Sequence, residues 1–346
     1  MQDAVFDGGN AEGNGPDERF ELLKRWLSRD LRLGFISLEP VSGDASVRRY
    51  FRVIHSAGSL IAMDAPPDQQ DCRSFLTLAW TLRDLGLSVP QVLEMDLDRG
   101  FLLLSDFGSR HYLDVLDTNN VESLYGEALD ALERLQTAGP TGNFALPAYD
   151  RDLLMRELGL FWEWLVIRHL GIAVTSELEA IFEWSFAFLA DAALSQPGVC
   201  VHRDYHSRNL MVLDRDGPGI LDFQDAVIGP ITYDLVSLLR DCYIDWPRAR
   251  VQAWTLQYLQ RPAIRELAGN PSDAQWIRWF DLMGIQRHLK ASGIFARLRH
   301  RDGKSRYLAD LPRTLRYVAD VSGLYPELQG MHRFVADDVL PRLEAS

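Results

Sequence analysis

The sequence predicts an α+β fold of two lobes, a small antiparallel sheet followed by a larger, mostly helical part. Three observations predict it. Short segments rich in β-branched and aromatic residues crowd in before Gly108, long helical periodicities dominate after it, and a strand-like interlude at 199–226 interrupts the helical part. A chain of 346 residues with 47% hydrophobic content can supply a core to each lobe.

Residues 1–16, MQDAVFDGGNAEGNGP, are small, polar and glycine-rich and lack the basic and apolar regions of a secretory signal, so they read as a disordered leader. From Asp17 to Leu33 the apolar positions Phe20, Leu23, Trp26, Leu27 and Leu31 recur at helical spacing, which predicts an amphipathic opening helix. VRRYFRVI at 47–54, SLIAMDA at 59–65, then VLEMD and FLLLSDF up to 107 read as strands of one sheet. Between the second and third of these, residues 71–86 place Cys72, Phe75, Leu76, Ala79, Leu82 and Leu85 on one helical face that ends at Gly86. Residues 17–107 therefore read as the N-terminal, nucleotide-binding lobe, a sheet with one helix. Residues 108–346 read as the C-terminal, catalytic and substrate-binding lobe, with helices over Asn120–Ala138, Asp150–Leu170 and Ser176–Leu194 and again after the interlude. There is no internal repeat of the solenoid kind.

Composition narrows the function classes. A formal charge of −13 disfavours a sequence-independent grip on nucleic acid or on an anionic membrane, because such a grip needs clustered Lys and Arg. An anionic ligand must then meet a local positive pocket. Cys72, Cys200 and Cys242 are odd in number and lack metal-ligand spacing, which suits reduced thiols. No apolar run approaches the roughly 18 residues of a spanning helix, and the expected location is cytoplasmic.

The interlude carries the chemistry. His202-Arg203-Asp204-Tyr205-His206-Ser207-Arg208-Asn209 is a polar loop; a short strand at Leu210–Leu213, a turn at Gly217-Pro218-Gly219 and the run Ile220-Leu221-Asp222-Phe223 follow. Phosphoryl transfer needs a carboxylate to orient the attacking hydroxyl and two oxygen ligands for Mg²⁺ at the nucleotide phosphates. Asp204 is the candidate for the first role. Asn209 and Asp222 are the candidate metal ligands, since a two-strand return brings Asp222 back beside Asn209.

This block resembles the protein-kinase set H-R-D-x-x-x-x-N followed by D-F-G. Gln224 stands where that pattern has glycine, as in the small-molecule branch of the superfamily, the aminoglycoside phosphotransferases and choline kinases. The segment Gly229-Pro230-Ile231-Thr232-Tyr233-Asp234-Leu235 resembles that branch's G-[DP]-x-x-x-D-L. The resemblance implies a bilobal protein-kinase-like fold, with Asp234 accepting hydrogen bonds from the catalytic loop and His202 as a packing and hydrogen-bonding strut. SGDASVRRYFRV, MDAPP, LLSDFG, FQDAVIGPITYDLVSLLRDCYI, GIQRHLKASGIFARL and YLADLPRTLRY together resemble the cytoplasmic kinases of N-acetylmuramate and N-acetylglucosamine. Those kinases phosphorylate the anomeric hydroxyl in bacterial cell-wall (peptidoglycan) recycling. The implied reaction makes a sugar 1-phosphate from ATP and an amino sugar with Mg²⁺.

The pattern departs from protein kinases at the nucleotide. Ser42-Gly43-Asp44-Ala45-Ser46 offers one glycine, so Gly43, Asp44 and Ser46 are expected to form a short backbone nest for the phosphates. No lysine occurs between Lys24 and Lys290, which removes the strand lysine and its Glu partner. Arg48 or Arg49 is the candidate phosphate contact, with a solvated strand charge as the alternative for both. Asp106-Phe107-Gly108 spells the metal motif but precedes the catalytic loop; its place fits the hinge, where backbone at Ser105 and Phe107 would meet adenine. Gly303-Lys304-Ser305 lacks the rest of a Walker loop and reads as a surface turn, while His202 and His206 have Arg203 where a zinc protease has Glu. Most of Trp162, Trp164, Trp246, Trp254, Trp276 and Trp279 are expected in the core. A lactyl carboxylate would need a cation, for which Arg240 is a candidate against the alternative of an ion pair. The rival functions are kinases of the same branch acting on an aminoglycoside, choline or homoserine, and a non-catalytic pseudokinase suggested by the missing lysine.

Overall fold

Helix α1 (Glu18–Arg25) begins where the Asp17 carboxylate accepts the Phe20 N–H at 3.1 Å, and it continues in wider turns over Trp26–Asp30. The computed structural model describes residues 17–41, 48–68, 71–138, 146–214 and 217–344; the leader and the proposed phosphate loop at Gly43, Asp44 and Ser46 lie outside them. The described residues form two compact units. One holds those up to Asp71 together with Leu93–Asp106; the other holds Cys72–Val92 and those from Phe107 onward.

The first unit is built on a five-stranded sheet: β1 (Phe35–Val41), β2 (Arg49–His55), β3 (Gly58–Asp64), β4 (Val92–Asp96) and β5 (Phe101–Ser105), in the order β1-β2-β3-β5-β4. The β1–β2, β2–β3 and β3–β5 pairs are antiparallel, and the register lines up Phe51, Ala62 and Leu103. These three, with Val53 and Phe101, make the face on which Leu23, Trp26 and Leu27 of the opening helical segment pack. Burying each large apolar side chain contributes about 1.5–3 kcal/mol. Strand β1 escapes a reading of the sequence because Pro40 interrupts it; the strand lies at a sheet edge, where proline is tolerated.

Helix α2 (Cys72–Asp84) belongs to the second unit, whereas the sequence suggests a place beside the sheet. The reason is local packing: Phe75 stacks on Phe223 with ring centres 5.0 Å apart, and just beyond the helix Ser88 O accepts the Ile220 N–H at 2.7 Å. The helices α3 (Tyr112–Val115), α4 (Val121–Thr137), α5 (Arg151–Leu160) and α6 (Ser176–Leu194) follow, α5 continuing in wider turns through Phe161–His169. Then come β6 (Gly198–Val201), β7 (Leu210–Met211), β8 (Gly219–Ile220) and β9 (Val227–Pro230), paired β6 with β9 and β7 with β8, both antiparallel. The rest is helical: α7 (Tyr233–Leu239), α8 (Arg248–Leu259), α9 (Pro262–Leu267), the long α10 (Asp273–Asp302), α11 (Leu311–Ser322) and short turns beyond. Gly303, in the left-handed conformation at φ 70°, caps α10, so the Gly303-Lys304-Ser305 run is a helix end.

Helix α10 organises this unit. Nearly every side chain from Phe280 to Gly293 is buried, polar ones included. Gly293 has no room for a side chain, because a Cβ there would lie 2.5 Å from the Leu160 carbonyl oxygen. Trp246, Trp254 and Trp276 are buried, and Trp162 and Trp164 pack on the core. The three cysteines are buried and unbridged. No helix among the described residues is long and apolar enough to cross a membrane.

Candidate active site

The loop 202–209 leaves β6 and enters β7, and its shape is fixed by acceptors from two directions. Asp234, fully buried in the first turn of α7, takes the His202 N–H on Oδ2 at 2.6 Å and the Arg203 N–H on Oδ1 at 3.0 Å. Asp241, just beyond α7, takes the Ser207 N–H at 2.9 Å and its hydroxyl on one oxygen, and the Tyr243 N–H at 3.0 Å on the other. Arg203 sits at φ 78° and Asp222 at φ 62°, left-handed conformations that a non-glycine residue adopts at a cost of about 1–3 kcal/mol and that cluster at functional sites.

His202 is a strut. Its Nε2 lies 2.9 Å from Leu221 O and its Nδ1 accepts the Asp204 N–H at 3.2 Å, which fixes a neutral ring donating through Nε2. Burial lowers its pKa and keeps it neutral, against the pull of Asp234 and Asp204. Asn209 donates its amide to Asp204 O at 3.0 Å, while its own carbonyl accepts the Leu221 N–H at 2.9 Å. Asp222 is one residue past that ladder bond. The hairpin thus carries Asp222 back to the loop, and the two carboxylates feel each other electrostatically.

The environments of these carboxylates differ. Burial alone would raise Asp204, but Lys290 first, then His206, Arg287 and His202, outweigh it and hold the carboxyl at about 2. Burial lowers the pKa of His206 as well as that of His202, so at neutral pH the charges that act on Asp204 are those of Lys290 and Arg287. Asp222 is pushed up, by burial first and then by Asp204 and Asp225, although Gln224 offsets this by donating to its Oδ1 at 2.7 Å. Gln224, in the place of the motif glycine, therefore supports the carboxylate directly. Asp234 is pushed up to about 6 by burial, against the neighbouring His202 and the two loop N–H groups.

The cations come from distant parts of the chain. Lys290 of α10 donates to Tyr233 Oη at 2.9 Å and lies 3.0 Å from Glu157 Oε1 of α5. The same Glu157 oxygen holds Arg203, and the other accepts from Tyr149 Oη. Glu157 is nearly buried, yet Lys290 and Arg203 overcome that burial and keep its pKa low. Asp204, His206, Tyr233, Asp241, Arg287 and Lys290 surround a cavity of about 100 Å³. Sequence reasoning singled out neither Lys290 nor Arg287.

The remaining expected residues have partners of their own. Arg49 is held by Asp17 and by the fully buried Asp64, which Arg19 also holds. Arg48 flanks β2. Asp106 pairs with Arg52 at 2.6 Å, which accounts for the acid of the misplaced Asp-Phe-Gly. Ser105 ends β5 opposite Leu60; Phe107 packs against Gly219 and lines a larger cavity of about 630 Å³ with Ser88, Glu127 and Arg134. Arg240 is a buried ion pair with Asp281 at 2.8 Å, and Asp281 also takes Arg248 and the Tyr325 hydroxyl.

Among the described residues no three His, Cys, Asp or Glu side chains form a metal cage. The side chains of Asp222 and Asn209 still suit a hard cation, being a carboxylate and an amide that offer oxygen donors.

A half-buried carboxylate kept ionised, a second carboxylate returned by the hairpin and a loop pinned by two aspartates make up this site, and the chain belongs to the phosphotransferase enzyme family, matching it over residues 37–270. Within that family it is similar to N-acetylmuramate/N-acetylglucosamine kinase of Pseudomonas aeruginosa, 46% identical over 92% of this chain and 97% of the relative. The kinase of the same name from Neisseria meningitidis serogroup B is 41% identical, over 91% and 94%. Among solved structures, choline kinase LicA from Streptococcus pneumoniae superposes with a TM-score of 0.62 at 13% identity, covering 88% of this chain and 99% of that one. An ADP-bound aminoglycoside phosphotransferase gives 0.57 at 14% identity, over 89% and 99%. These structures share the protein-kinase-like fold.

Proposed function

We propose that the chain transfers the γ-phosphoryl group of ATP to the anomeric hydroxyl of N-acetylmuramate and of N-acetylglucosamine, with Asp204 receiving the hydroxyl proton. One observation carries this reading: the half-buried Asp204 carboxylate is held ionised at about 2, in a loop whose hairpin returns a second carboxylate, the more exposed Asp222. The relatives' printed names support the choice of acceptor.

In this reading Asn209 and Asp222 hold Mg²⁺, which when bound neutralises charge on the transferring phosphate. A carboxylate at about 2 is a weak base. Asp204 therefore orients the hydroxyl and takes its proton as the oxygen–phosphorus bond forms and the bond to the leaving ADP breaks. A weak base suits the anomeric hydroxyl, which is more acidic than an ordinary alcohol. The hydrogen bond that the Asp204 N–H donates to His202 and the one that Asn209 donates to the Asp204 carbonyl, together with the Asp234 and Asp241 pins, keep that carboxylate in place. Gly43, Asp44 and Ser46 are the residues we assign to the nucleotide phosphates.

³¹P NMR of the product from ATP and N-acetylmuramate tests the acceptor, with phosphate on carbon 1 expected. Asp204→Ala should lower kcat by about 10²- to 10⁴-fold. Phosphate on another carbon refutes the regiochemistry, and a variant within threefold of wild type refutes the role of Asp204.

A further inference from the structure

Four buried or nearly buried cations surround the catalytic loop and the helices behind it, and three have a carboxylate of their own. Arg203 and Lys290 share Glu157, and Arg240 has Asp281. Arg287 is the exception. It is 5% exposed, and its Nε and Nη1 are buried without a hydrogen-bond partner among the described residues. Its guanidinium lies 5.9 Å from the centre of the Tyr233 ring, on the wall of the cavity that Asp204 also lines. Burying donors of a charged group unpaired is costly, and a planar guanidinium is shaped to receive a carboxylate through two parallel hydrogen bonds.

The other acids of the cavity do not meet this need. Both Asp241 oxygens are occupied by the Ser207 and Tyr243 donors, and Asp204 is assigned to the reacting hydroxyl. N-acetylmuramate differs from N-acetylglucosamine by a lactyl ether on carbon 3, which adds one carboxylate and one methyl group. Carbons 1 and 3 belong to one ring, so a hydroxyl at Asp204 and a lactyl arm reach into a single cavity. Ala291, Ile294 and Phe295 give that cavity an apolar wall suited to the methyl group, and about 100 Å³ accommodates the arm.

We propose that Arg287 is the specificity residue that binds the lactyl carboxylate of N-acetylmuramate, the place the sequence assigned to Arg240. The inference rests on the acceptor reading above. Arg287 also acts on Asp204, and that effect is common to both sugars, so the ratio of kcat/KM for the two acceptors isolates carboxylate binding. Arg287→Gln should lower this ratio, N-acetylmuramate over N-acetylglucosamine, by about 30-fold or more, mostly through KM, as expected for truncating one partner of a buried charge pair. A test without any variant compares N-acetylmuramate with its neutral methyl ester on the wild-type protein: the ester should be the poorer acceptor by a similar factor, and in Arg287→Gln acid and ester should become equivalent. Equal losses for both sugars, or an ester that reacts as well as the acid in the wild type, overturn the inference and leave the kinase reading standing. A wild-type protein that phosphorylates neither sugar overturns both.

Discussion

Lys290→Met is the sharpest probe of how the site is held. The ammonium lies 3.0 Å from Glu157 Oε1, with both side chains less than a tenth exposed. At an effective dielectric of about 20 that attraction is on the order of 5 kcal/mol before desolvation is counted. Breaking a buried pair by removing one member costs about 3–5 kcal/mol, because the other is left uncompensated. Here Glu157 keeps Arg203, so the lower end applies, about 3 kcal/mol. In a unit of this size each kcal/mol shifts the melting temperature by about 2–4 °C, so the variant should melt about 6–12 °C lower. Thermal and urea unfolding of Lys290→Met, Glu157→Gln and the double variant check it. In the Glu157→Gln background Lys290 has already lost its carboxylate, and its removal should cost about 2 kcal/mol less. A single variant that melts within 2 °C of wild type, or costs that add within about 0.5 kcal/mol, would refute the network.

Asp234 makes a prediction about pH. Its folded carboxyl sits at about 6, above its ordinary value, so it takes up a proton as pH falls through about 6 and one oxygen stops accepting a loop N–H. The raised value means that protonation there favours the folded chain, so the effect belongs to turnover and not to unfolding. An acid limb in kcat near pH 6 is expected, well above anything Asp204 at about 2 produces, and Asp234→Asn should be slower throughout with that limb flattened; a limb that persists unchanged in the variant would remove the assignment. Gly293→Ala places a Cβ against the Leu160 and Phe161 backbone, which no rotamer can relieve. Overpacking of this kind costs about 1–3 kcal/mol, and the upper end is expected against backbone; denaturant titration showing less than 1 kcal/mol would mean that α10 moves freely against α5.

The legible part of this site is the part that is local in sequence. Asp204, Asn209 and Asp222 fall within one loop and one hairpin, so a turn at Gly217 and a few residues of strand are enough to bring them together. Asp234 was legible through the resemblance of residues 229–235 to a family segment, and the structure places it in the first turn of the helix that follows β9. Strand β1 was missed because Pro40 breaks its alternation, and its strand character comes from pairing with β2. Lys290 and Arg287 were missed because their positions depend on how α10 packs on α5 and α7, a long-range contact that no local pattern encodes. The same holds for Arg240, where charge on a helix face fits a ligand contact as well as an ion pair until Asp281 appears beside it.

The net charge of the chain and the charge of its site point in opposite directions, and burial reconciles them. A protein at −13 would repel two anionic substrates if its surface decided the matter. The cations that face Asp204 are instead inside, and Lys290 and Arg287, each under a tenth exposed, act where solvent and salt screen weakly. Their placement beside Asp204 gives the site positive charge without a strand lysine. It also explains why α10 carries polar residues at so many buried positions. The helix supplies the charge that keeps Asp204 ionised and the contact that holds α5, so residues far along the chain from the catalytic loop set the state of its carboxylate.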